Sequence, residues 1–513
     1  MTARRNLASA LLLAALLGGA SGWATRAAAA ELRDVLGASH IAGKYNFTRQ
    51  DFLNEGAAQL QTLGTRVIKV WLSLEPKAQY PFNSAWGPMA RDYVQVVKKP
   101  YFQALFAKPF TTFILVANAG SSDFQDGESA DEATETRHRM HDLASYLLHA
   151  YAGSGKTFVL QNWEGDHLLG AGIPDNAVPD PVRLQGMIDW IAARQDGVER
   201  ARREAAADGI RDVVVANAVE VNGLAPSLQG KVTATNNVLP QTHADLYSYS
   251  SWDIQFNAAT LVRALDHLAA HTPPSALYGR QNIYLGEFGA AQDQLPAGVD
   301  QGRVVRDLAD AALGWGVRYA VYWQLYSNER THAYVGRPGV ADMKSLWLIR
   351  PDGSKSDTWS FFAAQLPTAI QQGSLRTASG KYLHAADVTT GPSGTLSASS
   401  PKVGRWETFT LRGDQQSPDG HLHDGDAVYL QAHNGRFVAE SSKSELLAIA
   451  NRPKQARRFV LRAATEAGAA GTILSGDAIV LDAGDGRFLS VLPTTGRVVM
   501  GTAAEVLRFG FED

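Results

Sequence analysis

The sequence predicts an α/β fold class: a (β/α)8 barrel over residues 31–368, followed by an all-β domain over residues 373–513. Three observations predict it. After Glu31, short β-branched runs alternate with longer segments of helical period, which is the pattern of parallel βα units. Eight such runs can be counted before residue 368, which suits a closed barrel of about 250 residues enlarged by insertions. Beyond about Gly373 the helical period gives way to short strands, Gly turns and an internal repeat.

Residues 1–30 stand apart from both regions. Arg4 and Arg5 precede an apolar stretch from Leu7 to Leu17, and a run of alanines ends at Ala30. A basic start, a short apolar core and small residues at the end make a secretory signal peptide, with the general and twin-arginine routes both open. The competing reading is a membrane anchor, which needs about twenty apolar residues. No later stretch is long and apolar enough to span a bilayer, so the mature chain is expected in the periplasm or outside the cell, with no membrane contact.

The eight candidate strands are Ala38 to Ala42, Arg66 to Leu72, Thr111 to Ala117, Thr157 to Gln161, Asp212 to Val221, Asp245 to Tyr249, Ile283 to Gly286 and Tyr319 to Gln324. Helical stripes fill the gaps. Arg183 to Ala207 carries Met187, Ile188, Ile191 and Val198 on one face, and Val304 to Gly314 precedes the last strand in the same way. A doubly wound open sheet would place a Gly-rich phosphate loop after the first strand, and none is there.

The C-terminal region repeats three times. Gly380-Lys381-Tyr382-Leu383, Gly435-Arg436-Phe437-Val438 and Gly486-Arg487-Phe488-Leu489 are related, and Phe409, Phe459 and Phe509 follow them at one even spacing of about 50 residues. The repeated aromatics are expected to form a threefold core.

Composition narrows the function classes. A hydrophobic content of 45% and a charged content of 19% describe a folded chain, and a net charge of -3 gives no reason to expect a nucleic-acid partner. The sequence holds no cysteine, which excludes disulfides, thiolate metal sites and cysteine nucleophiles. No Gly-x-Ser-x-Gly elbow is present, and nothing calls for a metal or other cofactor.

The chemistry lies in two carboxylate segments. Gln161-Asn162-Trp163-Glu164-Gly165-Asp166 ends the fourth candidate strand, and Tyr284-Leu285-Gly286-Glu287-Phe288-Gly289 ends the seventh. In a barrel, reacting groups sit at the C-terminal strand ends. Glycosidic-bond hydrolysis needs such a pair: one carboxyl protonates the leaving oxygen, and the other attacks or activates water.

A Glu after the fourth strand and a Glu on the seventh resembles the clan A glycoside hydrolases, over nearly all of residues 31–368. The resemblance implies Glu164 as general acid/base, Glu287 as nucleophile and a retaining double displacement, with no cofactor. It implies further that Trp323 stacks on the sugar, that Tyr249 or Tyr247 hydrogen-bonds the nucleophile, and that Lys69 stands where the clan commonly has Arg. The clan pattern has Asn directly before the acid/base; here Trp163 intervenes, and Asn162, two residues back, is expected on the same strand face as Glu164. The threefold C-terminal repeat is similar to a fascin-like β-trefoil, a fold found attached to other carbohydrate enzymes.

Other candidates remain beside these. Glu220 ends the fifth strand and competes with Glu164 for the acid role, with inversion as the outcome. His40 and His243 are subsite candidates or structural histidines, and Asp166 and His167 either bind sugar hydroxyls or solvate a loop. Trp71, Trp86 and Trp252 are candidate sugar platforms, whereas His138 and His141 read as exposed helix polarity. The expected activity is cleavage of a β-linked polysaccharide or oligosaccharide. The alternatives are a non-catalytic polysaccharide-binding protein and a transglycosylase of exopolysaccharide metabolism.

Overall fold

The computed structural model describes residues 30–118, 124–174, 177–386, 394–417, 419–464 and 471–510. The signal segment expected over residues 1–30 lies outside them, apart from Ala30. Among the described residues no helix is long and apolar enough to cross a membrane.

Eight parallel strands close into a barrel: β1 (Leu36–Ser39), β2 (Val67–Trp71), β3 (Thr112–Val116), β4 (Lys156–Gln161), β5 (Val213–Val221), β6 (Leu246–Ser250), β7 (Ile283–Phe288) and β8 (Ala320–Tyr322). The ladder closes where Leu36 of β1 pairs with Ala320 of β8. Each sequence-based strand coincides with one of these. The first is displaced towards the N-terminus: β1 stops at Ser39, and Ala42 takes a positive φ of 48°, which no extended strand contains.

Helices α1 (Phe52–Leu63), α2 (Pro100–Phe106), α3 (Ala130–Ala150), α4 (Pro181–Ala207), α5 (Ala258–Ala270), α6 (Gln301–Trp315) and α7 (Asp357–Gln365) wrap the outside. Their starts are chemically marked. Ser129 and Glu132 form a reciprocal capping box on α3, while Asp180, Asn257 and Asp300 cap α4, α5 and α6 with side-chain oxygens. Between β5 and β6 only short helical turns occur, at Leu224–Ser227 and Ala234–Val238.

Side-chain alternation divides the barrel into an inner and an outer layer. Val67, Ile114, Val159, Ala216, Ala218, Leu246, Tyr284, Tyr319 and Val321 fill the interior. The opposite faces, including Tyr247, Tyr249, Phe158 and Leu285, join the helices in the large surrounding core.

The second region is entirely antiparallel. Six strands, Thr368–Arg376, Thr408–Gln416, Ala427–Ala432, Arg458–Ala463, Ala478–Asp482 and Leu507–Gly510, pair in that order, and the last returns to the first. Three hairpins project from the cycle, at Tyr382–Ala385 with Leu396–Ser400, Phe437–Glu440 with Leu446–Ala450, and Phe488–Val491 with Val498–Gly501. Single bridges join each hairpin to the other two, through Thr395 and Leu447, Ser397 and Arg497, and Glu445 and Val499. Phe409, Phe459 and Phe509 are fully buried in one shared core with Leu383, Val438 and Leu489.

This β region docks on the C-terminal halves of α5 and α6. Arg412 donates to Asp310 at 2.7 Å with both side chains buried, and Gln431 donates to the Asp310 carbonyl at 2.5 Å. Asp266 accepts from Trp315, Arg405 and His433 at 2.7–2.9 Å. Barrel helices run back from the C-terminal strand ends, so these contacts lie towards the foot of the barrel, away from its mouth.

Candidate active site

Alternation on β2, β5 and β6 turns Lys69, Glu220, Ser248 and Ser250 inward, above the apolar plug of the barrel. Lys69 is fully buried. Its Nζ lies 2.9 Å from Glu220 Oε1 and 2.9 Å from Glu287 Oε1, with the Gly286 carbonyl at 3.2 Å as third acceptor. Burial opposes the ammonium charge, but Glu220 and Glu287 outweigh it and hold the group above its ordinary value.

Glu220 forms the floor. Its Oε1 accepts from Lys69, from Gln161 at 2.6 Å and from Ser248 at 3.1 Å, and its Oε2 accepts from the Glu164 amide at 3.3 Å. Tyr284 in turn donates to Gln161. Burial pushes the Glu220 carboxyl up to about 7; Lys69 opposes this, and the charges of Glu287 and Glu164 add to it. Gly286 makes the layer possible, because a Cβ there would lie 1.9 Å from Ser248 Oγ and 2.7 Å from Glu220 Oε1.

Glu287 sits one level higher, nearly buried on β7. Its Oε2 accepts from Ser250 Oγ at 3.0 Å and from Trp252 Nε1 at 3.0 Å, while Oε1 faces Lys69. Glu164 stands opposite, in a left-handed backbone conformation (φ 24°) at the start of the short helix Gly165–Leu169. Its Oε1 lies 2.9 Å from the same Ser250 Oγ, and its Oε2 lies 2.5 Å from His167 Nδ1. The hydrogen bond to Glu164 raises His167; burial opposes, and the charges of Glu164 and Asp166 reinforce it. Because both glutamates contact one hydroxyl, their nearest oxygens are less than about 6 Å apart.

Tryptophans surround this pair. The Trp71 and Trp323 rings meet edge-on at 5.6 Å, with Lys69 Nζ 5.2 Å from the Trp71 centroid. Trp163 is 39% exposed and tilts against His167 at 5.5 Å. Trp86 is buried in the outer layer instead, against Tyr80, Tyr101 and Phe102.

The structure therefore gathers Glu164, Glu287, Lys69, Trp71, Trp163 and Trp323 around one mouth, and it places three further candidates elsewhere. His40 is fully buried, with Nε2 2.7 Å from the Phe52 carbonyl and its ring packed by Phe52, Tyr80 and Tyr326; no face of it reaches the mouth. Tyr249 points outward and donates to Asp253 rather than to Glu287. Asn162 does not share a face with Glu164, because the chain leaves extended geometry after Gln161. It clasps β5 instead: its Oδ1 accepts from the Glu220 amide at 3.0 Å, and its Nδ2 donates to the Glu220 carbonyl at 3.1 Å.

Asp166 also works as a latch. It accepts from the amides of Asn222, Gly223 and Ala234 at 2.9–3.0 Å, tying the Glu164 turn to the loop after β5. Ser250 and the indole N–H of Trp252 are contacts that the sequence reading passed over. The period of two was the available signal: in Leu-Tyr-Ser-Tyr-Ser the serines share the face of Leu246, which fills the barrel interior. His141 pairs with Glu204 and Asp142 on the outside of the barrel, and the described residues contain no cluster of three metal-ligating side chains.

No family model matches the sequence, and no curated protein matches it. Among solved structures, the chain is similar to a GH5_18 protein from Bifidobacterium longum subsp. infantis (13% identity, 66% of this chain and 79% of that one, TM-score 0.43). It is also similar to a Bacteroidetes-affiliated GH5 cellulase (14%, 66% and 91%, TM-score 0.40) and to a GH39 β-xylosidase from Caulobacter crescentus (12%, 81% and 80%, TM-score 0.36). The barrel and its strand order stand on their own hydrogen-bonded ladder.

Proposed function

We propose that the protein is an exported glycoside hydrolase of the clan A type, cleaving β-glycosidic bonds of a polysaccharide or oligosaccharide with retention. Glu287 is the nucleophile and Glu164 the acid/base. One observation carries this reading: a single serine hydroxyl lies between the two carboxyls, and of these two it is Glu287 that Lys69 and Trp252 supply with further donors. Such donors hold the Glu287 carboxyl in one orientation, as a nucleophile needs, whereas Glu164 lies beside Trp163 and His167. The narrow gap favours direct attack; an inverting pair stands about 6.5–9.5 Å apart to admit water. Trp71, Trp163 and Trp323 supply flat apolar surface for pyranose faces.

Glu220 is set aside as the acid because Lys69, Gln161 and Ser248 occupy it on the floor, below both other carboxyls. The C-terminal region is read as a fascin-like β-trefoil over residues 373–513, supported by its six-strand cycle and three mutually bridged hairpins. Its buried contacts with α6 favour a fixed cap on the barrel over a tethered sugar-binding module.

A polysaccharide panel tests the reading, with Glu164→Gln as control. Glu287→Ala is expected to lose at least about a thousandfold in kcat and to regain turnover with added azide, giving a glycosyl azide of inverted configuration. Parental activity in Glu287→Ala overturns it.

A further inference from the structure

From the geometry around Ser250 we infer that its hydroxyl is a two-position proton switch, which keeps the acid proton on Glu164 while Glu287 is an anion and turns to Glu164 once Glu287 is esterified. This deepens the glycosidase reading and rests on it. A serine hydroxyl has one hydrogen to donate, yet Ser250 Oγ lies 2.9 Å from Glu164 Oε1 and 3.0 Å from Glu287 Oε2. If both carboxyls were ionised, one of these contacts would set oxygen lone pairs against each other without a hydrogen. One carboxyl therefore carries a proton and donates it to Ser250.

The surrounding donors decide which. Lys69 Nζ and Trp252 Nε1 can only donate, and both point at Glu287. Glu287 is thus the acceptor throughout, and the proton belongs to Glu164 Oε1. His167 Nδ1 lies 2.5 Å from Glu164 Oε2, the oxygen turned away from Ser250, so its contact leaves the proton on Oε1 in place. The remaining ionisable groups near the pair are Glu220, which Lys69 holds from below, and Asp166, whose oxygens accept from three backbone amides.

The switch then follows the bonds. In the first step a Glu287 oxygen bonds to the anomeric carbon as the glycosidic C–O bond breaks, and the Glu164 proton passes to the leaving oxygen. Glu287 is now a neutral ester and Glu164 an anion, so the Ser250 hydrogen swings to Glu164 Oε1. In the second step water bonds to the anomeric carbon, its proton returns to Glu164, the ester C–O bond breaks, and the hydrogen swings back to the Glu287 carboxylate. Ser250 never gains or loses a proton; it is a positioning residue.

The test uses the full-length protein and needs no substrate for its first arm. Infrared spectra near pH 6.5 are compared for the parent, Glu164→Gln, Glu220→Gln, Ser250→Ala and Ser250→Thr. The parent is expected to show protonated-carboxyl absorption in two parts, one that Glu220→Gln removes and one that Glu164→Gln removes, Ser250→Ala weakens and Ser250→Thr retains. A second arm records kcat/KM against pH on whichever polysaccharide of the panel is hydrolysed. The alkaline limb should move down by about one pH unit in Ser250→Ala, the size of one lost hydrogen bond, and return in Ser250→Thr. An ionised Glu164 beside a charged His167 in the parent overturns the inference, as does a Ser250→Ala protein with an unchanged band and limb. If Ser250→Ala does not fold, the parent and Glu164→Gln spectra still locate the proton. A chain that hydrolyses nothing on the panel but shows the Glu164 band refutes the glycosidase reading and leaves the proton assignment standing.

Discussion

Lys69 and Glu220 form an ion pair at 2.9 Å with neither side chain exposed to solvent. A buried pair of this kind depends on each partner, because removing one leaves an uncompensated charge. Lys69→Met is therefore expected to cost about 3–5 kcal/mol in urea unfolding. The loss should be smaller in the Lys69→Met, Glu220→Gln double variant, where one stranded carboxylate is gone. Equal losses in both would show that Glu220 does not depend on Lys69.

Two fully buried groups give opposite pH dependences. Burial lowers His40 from 6.5 to about 4, with the Phe52 carbonyl opposing, so its contribution is present above 6.5 and lost as pH falls towards 4. Burial raises Glu220 from 4.5 to about 7, so its contribution is present below 4.5 and lost as pH rises through 7. Each is worth about 3 kcal/mol over its window. Between pH 4.5 and 6.5 they offset each other in the parent. Unfolding free energy is expected to fall across that range in His40→Gln and to rise in Glu220→Gln. The same slope in both variants would refute this pairing.

Gly286→Ala should cost activity out of proportion to its size. The added carbon has to displace Ser248 and Glu220, on which Lys69 and hence Glu287 rest. About 1–3 kcal/mol of stability should go with it. Thermal unfolding together with kcat separates this from simple misfolding, because a folded variant with full activity would contradict the support role.

The barrel was legible in the sequence because parallel strands buried on both faces read as apolar runs, as Val67–Trp71 and Thr112–Val116 do. That Glu164 and Glu287 meet at one mouth was legible because each stands at the C-terminal end of a barrel strand. Less legible was which neighbours face them. Tyr249 was a candidate by resemblance, yet period-two alternation gives its face to the helices and gives Ser250 to the carboxylates. Asn162 lost its expected direction because Glu164 adopts φ 24°, a turn that strand parity does not anticipate. His40 is enclosed by Tyr326, Phe52 and Tyr80 from three separate segments, and no local pattern announces such an enclosure.

The contact between the two regions predicts coupled unfolding. Arg412→Ala leaves the Asp310 carboxylate buried without its partner, at a cost of about 3–5 kcal/mol to the docked state. Calorimetry is expected to split one transition into two, and protease should cut near residues 366–368. A single unshifted transition would show that docking does not rest on this pair.

Ala30 and Glu31, at the start of the described chain, pair antiparallel with Ile370 and Ala369 of the second region's first strand. Leu32, Val35 and Leu313 pack beside Ile370. The segment that leads into the barrel is thus stitched to a strand made after all eight barrel strands, and that strand pairs further along with Leu507–Gly510. A chain emerging from its N-terminus cannot fasten this seam until Ala369 and Ile370 have been made. Cutting the gene before Ala369 would therefore leave Ala30 and Glu31 without their partner strand, so the two regions are one folding unit with respect to that seam.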